Sequence, residues 1–193
     1  MRWLTRRGAV AALAVGLAVG YGFAWRGMVL LLAFFFSSSL LTTAAKGGEG
    51  RRNERQVLAN GGVAALAALA GSWVLFAGAL AAATADTWAT EIGRHSRTQP
   101  RLISNGMPVP AGTDGGITLL GTAGAIAGAW FIAGLSFLLG QRSLLAIAAA
   151  GVAGMTVDSL LGATVQGKVR WMNNDAVNLA ATLTGAVCAA LIA

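Results

Sequence analysis

Residues 116–139 read GITLLGTAGAIAGAWFIAGLSFLL. No charged side chain interrupts them, and they exceed the roughly 20 residues a helix needs to cross the ~30 Å hydrocarbon core of a bilayer. The same character extends to both sides. The chain of 193 residues is 56% hydrophobic and 11% charged, with a mean hydropathy of +0.68. A soluble domain carries about 25% charged residues, so too few remain here for a water-facing surface. The bilayer is the solvent that fits this composition. The expected fold is all-α, a polytopic membrane helical bundle that takes up the single domain 1–193.

Apolar periodicity predicts seven helices over 8–25, 27–45, 56–71, 73–92, 116–139, 143–165 and 175–193. The third is short for a crossing. Connections alternate in character: 46–55, 93–115 and 166–174 are polar, while those near Arg26, Ser72 and Gln141 are tight. Threading seven crossings collects the N-terminus and all three polar loops on one side. That side holds twelve Lys/Arg (Arg2, Arg6, Arg7, Lys46, Arg51, Arg52, Arg55, Arg94, Arg97, Arg101, Lys168 and Arg170), against Arg26 and Arg142 opposite. By the positive-inside rule the N-terminus and polar loops face the cytoplasm. Trp3, Trp25, Trp73 and Trp88 fall near helix ends, the depth where aromatic belts form, and Trp130 is the exception. Arg6-Arg7 before an apolar run resembles a secretory leader. No small-x-small cleavage site leads into a soluble domain, so the first helix is expected to be retained.

The net charge is +7. Its basic residues lie in short loops between apolar helices, which points to topology and anionic ligands rather than nucleic acid. Cys188 is alone, which excludes an intrachain disulfide and a cysteine-cluster metal site, and the single His95 excludes a multi-histidine site. His95 reads as a loop residue.

Acidic residues carry more information, because an Asp at mid-helix costs about 2.5–3.5 kcal/mol on insertion scales. Asp86 and Glu91 lie toward the cytoplasmic end of the fourth helix, Asp158 in the same region of the sixth, Asp114 before the fifth and Asp175 at the start of the seventh. Capping is the better account of Asp175. It cannot account for Asp86 and Asp158, which lie one to two turns inside a crossing, and there function is favoured. The loop Lys46-Gly47-Gly48-Glu49-Gly50-Arg51-Arg52-Asn53-Glu54-Arg55 is either a solvated basic loop or a phosphate cradle of arginine forks and glycine amides. Asn60 is poorly suited to lipid, and Asn174 and Asn178, four apart, share a helix face. Carboxylates suit Mg²⁺ and arginines suit phosphates. Together they fit phosphoryl transfer onto a lipid phosphate, where the nucleophile is already an anion and the obstacle is repulsion between anions.

Five segments carry a resemblance: Val57–Gly62, Ala85–Gly93 (ADTWATEIG), Pro110–Gly116 (PAGTDGG), Asp158–Thr164 (DSLLGAT) and the Asn173-Asn174 to Asn178 patch. In order and spacing they resemble the phytyl-phosphate kinase family of vitamin E salvage, long catalogued as a domain of unknown function and including transmembrane protein 19. The resemblance covers about 40–190. It implies an integral membrane kinase that converts an isoprenyl monophosphate (phytyl, geranylgeranyl or farnesyl) into its diphosphate, with CTP as donor and Mg²⁺ as cofactor. Carried onto this chain, Asp86, Glu91 and Asp158 are the catalytic candidates, and with Asp114 they are the metal candidates. Lys46, Arg51, Arg52 and Arg55 would hold phosphates, with Asn60, Asn174 and Asn178 as further polar contacts. The partners implied are the lipid monophosphate, the nucleotide and membrane lipids; a homodimer stays open.

Two other readings compete. A transporter or flippase of a phosphorylated lipid or ion would use the same acids, but nearer the midplane and between inverted repeats. A non-catalytic scaffold would not need Asp86 and Asp158 within the membrane.

Overall fold

The computed structural model describes residues 3–45 and 50–193. Its helices are α1 (Arg6–Ala44), α2 (Glu54–Leu69), α3 (Trp73–Gly93), α4 (Leu119–Leu138), α5 (Leu144–Thr164) and α6 (Asn174–Ile192). Two short strands, β1 (Arg101–Leu102) and β2 (Gly116–Ile117), pair antiparallel within the connection between α3 and α4.

Helix α1 contains 39 residues, which at 1.5 Å each is about 58 Å, nearly twice a bilayer core. It is not straight. Ala24 has φ 49° and ψ −139°, and the chain doubles back there. Gly27 packs against Val19 and Phe23 of the preceding arm. At the far end, Trp3 Nε1 donates to Thr43 Oγ1 across 3.1 Å. The two arms are the first two expected crossings, so the bundle has seven helical segments among the described residues. A positive φ on alanine costs about 1–2 kcal/mol. Ala24→Gly is therefore expected to raise the midpoint of thermal unfolding in detergent, and Ala24→Val to lower it.

By length and apolarity α1, α4, α5 and α6 are able to cross a membrane on their own. Helix α2 has 16 residues and is short, as the sequence indicates. Helix α3 is long enough at 21 residues but not apolar enough. Its position explains this: every residue from Ala77 to Ala85 is buried, so α3 is the axis of the bundle. Around it run α1, α2, α6, α5 and α4, each packed on the next, with the sparsest junction between α1 and α4. Glycines set the spacing. A Cβ on Gly121, Gly124 or Gly128 of α4 would fall 2.9, 2.8 or 3.1 Å from the backbone oxygens of Ala89, Trp88 and Thr84 on α3. Small residues allow this approach where lipid supplies no hydrophobic drive between helices.

Two expectations need correction. The fifth predicted helix begins at 116, but α4 begins at Leu119: Gly116–Ile117 pairs with β1, and Thr118 caps the helix by accepting from Gly121 N at 3.0 Å. Trp73 is not an interfacial anchor. It is 8% exposed, packs edge-on against Phe23 and Phe76, and donates from Nε1 to Ser136 Oγ across 2.7 Å. A buried indole N–H needs such a partner, and here it ties the α3 start to the α4 end. The tight connections therefore meet at this end of the bundle, and the polar connections gather at the other.

Candidate functional site

At the polar end the helices open around a cavity of about 370 Å³, within the range of small-molecule sites. Every helix from α1 to α6 contributes to its wall.

Its floor is set by the packing of α3 against α5. The two helices run in the same direction. Gly151 faces Ala81, and Gly154 faces Ala82 of α3 and Ala181 of α6. One turn further along each helix, at 86 and 158, the matched residues are aspartates, and these carboxyls lie side by side. Small residues at 82 and 154 thus establish the register that joins the acids. Asp158 Oδ1 is buried without a hydrogen-bond partner. A buried polar atom normally has one, and two carboxyls this close are compatible only when they share a proton or a cation.

Asp114 reaches the same region from the loop before β2, near enough to interact electrostatically with Asp158. Gly115 (φ 72°) lets its backbone lie directly on α5, against Ser159 O and Ala163, while Gly162 leaves room for Asp114 and Gly115. No third acid joins closely enough to complete a cage: among the described residues, no group of three His, Cys, Asp or Glu side chains could hold a metal ion. Mg²⁺ does not require one, since it is commonly held by one or two carboxylates together with substrate phosphates and water. Asp86 and Asp158, with one oxygen unsatisfied, fit that mode.

Glu91 stands differently. It is 5% exposed and lines the cavity, but its Oε2 is 3.0 Å from Arg94 Nη1. Its backbone oxygen is met by His95 Nδ1 at 3.0 Å, so His95 secures the end of α3.

The basic and amide candidates divide. Arg52 lines the cavity; its Nη1 lies 3.5 Å from Ser39 Oγ and its backbone pairs with Leu4 and its neighbours. Arg51 and Arg55 are exposed and do not line it. Lys46 lies outside the described residues. Asn60, Asn174 and Asn178 all line the wall. Asn178 is 9% exposed, and Asn60 Nδ2 donates to Gln56 O at 3.0 Å. The expected cap on α6 is not Asp175: Asn173 Oδ1 accepts from Ala176 N at 3.0 Å, and Asp175 follows in the first turn, where the helix dipole favours an acid.

Sequence reasoning missed Gln56, Arg94, Thr118, Thr122, Ser159 and Gln166 as wall residues. Arg94 alone carried a readable sign, three residues after Glu91 on one helix face.

A family model described as "Integral membrane protein DUF92" matches residues 1–186. Among curated proteins, the uncharacterized membrane protein MJ0933 of Methanocaldococcus jannaschii is 40% identical over 149 residues, covering 73% of this chain and 62% of that one. Protein PGR of Arabidopsis thaliana is 35% identical, with 61% and 53% covered. Protein VTE6, chloroplastic, from the same plant is 31% identical, with 55% and 34% covered. The chain thus spans less than two thirds of the length of these relatives. No solved structure matches it.

Proposed function

The chain belongs to the integral membrane DUF92 family, and from that premise we propose that it is a membrane-embedded isoprenyl-phosphate kinase. It transfers the terminal phosphoryl group of a nucleoside triphosphate, CTP, to a phytyl, geranylgeranyl or farnesyl monophosphate. The observation that carries this reading is the pair Asp86 and Asp158, with a buried unsatisfied oxygen, on the floor of a cavity walled by Arg52 and Arg94. The resemblance to phytyl-phosphate kinases and the similarity to VTE6 support it.

Chemically, the bond between the terminal phosphorus and its bridging oxygen breaks. A new bond forms to an oxygen of the lipid phosphate, and the nucleoside diphosphate leaves with the electron pair. Since the nucleophile is already an anion, no general base is needed, and positioning and charge neutralisation make up most of the catalysis. Mg²⁺ held by Asp86 and Asp158 supplies neutralisation of the phosphate charge when bound. Arg52 and Arg94 add cationic donors from the wall. Asn60, Asn174 and Asn178 offer uncharged hydrogen bonds that orient a substrate without repelling it. On the positive-inside assignment this end of the bundle faces the cytoplasm, where nucleotides are available.

The sparsest junction of the ring, between α1 and α4, is the route we assign to the lipid tail. There Trp88 of α3 lies half-buried between the two; its Nε1 is 3.4 Å from Ser37 Oγ of α1 and its ring stacks on Phe131 of α4 with centroids 5.3 Å apart. Trp88→Ala is expected to raise KM for the lipid about tenfold, the scale of one lost large apolar contact. It should leave KM for the nucleotide unchanged and blunt discrimination among prenyl chain lengths. Equal effects on both KM values would put the tail elsewhere.

The test of the reading is incubation of purified protein with Mg²⁺, CTP or ATP and each prenyl monophosphate, with detection of the diphosphate by mass spectrometry. Product that depends on Asp86 supports the kinase. No product from folded protein with any pairing would overturn it in favour of transport of a phosphorylated lipid.

A further inference from the structure

The Glu91–Arg94 pair is not explained by helix stability. Arg94 is the C-cap of α3, and a cation there complements the helix dipole without any carboxylate. Only Glu91 is buried while Arg94 keeps access to solvent, and a pair with one end in water adds little to stability. Yet Glu91 is 5% exposed, and its 3.0 Å contact with Arg94 lies on the cavity wall. Backbone contacts fix both ends of this arrangement. The Glu91 oxygen meets His95, and Gly93 rests against Gly121 of α4. A guanidinium presents five donors in a rigid fork. Glu91 engages one edge of that fork and restricts the orientation of the rest.

We propose that Arg94 is a phosphate-binding side chain of the cavity, and that Glu91 is the positioning residue that aims it rather than a metal ligand. This rests on the phosphoryl-transfer reading of the same cavity. The ligand chemistry is a phosphate oxygen, which either the nucleotide polyphosphate or the lipid phosphate could supply. KM for each substrate distinguishes the two sources.

Arg94→Gln is expected to raise one of the two KM values about tenfold or more, the scale of a charge-assisted hydrogen bond. The other KM and kcat should change much less, and Arg94→Lys should recover only part of the loss, since an ammonium lacks the fork. Glu91→Gln should reproduce a weaker form of the same KM effect. The double variant Glu91→Gln/Arg94→Gln should be no worse than Arg94→Gln alone, because the two residues act as one unit. Half-activation by Mg²⁺ should be the same in Glu91→Gln as in the parent protein. Additive losses in the double variant, or a Glu91→Gln protein that needs several-fold more Mg²⁺, would return Glu91 to the metal and overturn the inference. Thermal unfolding of each variant identifies any that fails to fold, in which case Arg94→Lys serves as the milder probe.

Pyrophosphate binding, read by calorimetry without turnover, separates the two levels of the argument. If the parent protein binds pyrophosphate, Arg94→Gln does not, and no kinase product forms, the phosphate site stands and the kinase reading falls. If product forms and Arg94→Gln retains both KM values, the kinase stands and the inference falls.

Discussion

Asp158→Asn should reduce phosphoryl transfer about a thousandfold while leaving the protein folded. The magnitude follows from the charge that the carboxylate brings to a crowded anionic site. Two unit charges about 4 Å apart at an effective dielectric near 20 interact by about 4 kcal/mol, and each 1.36 kcal/mol in the barrier is tenfold in rate. Asn has the shape of Asp, so the packing of α5 is undisturbed. Asp86 and Asp158 lie side by side, and without metal two carboxyls this close share a proton; an amide at 158 can donate the same hydrogen bond without needing that proton. The unfolding midpoint without metal should therefore equal or exceed that of the parent protein. Mg²⁺ should no longer raise it by binding. A variant with lost activity, lost stability and intact Mg²⁺ stabilisation would mark Asp158 as structural. Diphosphate formation by mass spectrometry and thermal unfolding with and without Mg²⁺ measure both.

Gly115→Ala should cost both stability and at least tenfold in activity, whereas Gly106→Ala should cost only a little stability. Both glycines have φ 72°, so both alanines incur the same left-handed penalty of about 1–2 kcal/mol. The difference is space. Gly106 has nothing within 4 Å of an added Cβ, while at Gly115 that atom meets Ala163 and Ser159 O on α5. Overpacking adds about 1–3 kcal/mol, and the loop relieves it by lifting from α5. Asp114 is the preceding residue and moves with it, away from Asp158. Equal stability losses in the two variants would show that the loop does not bear on α5 as described.

Hydropathy made the membrane bundle legible, because runs such as 116–139 have no other solvent. The charge distribution sorted the loops correctly to one end. Within the site, Asp86 and Asp158 stood out because each is costly inside a helix. The sequence could not show that Ala82 and Gly154 bring them into register, since that is a contact between residues 72 apart in number. Glu91 illustrates the opposite limit. Its type and depth matched the other acids, but its partner is Arg94, a choice set by side-chain direction at the end of α3. The basic loop was read as one unit, although only part of it turns inward: Arg52 is held to Ser39 and the N-terminal segment, while Arg51 and Arg55 point to water. The short β1–β2 pairing was invisible because two-residue strands carry no period to detect.

The central position of α3 also bears on how the protein is made. A ribosome delivers this helix, with Asp86 and Glu91 on it, before α4, α5 and α6 exist. Its burial from Ala77 to Ala85 is a property of the assembled ring. The wall around Asp86 includes residues of α5 and α6, so the cavity takes shape only once those later helices have joined α3.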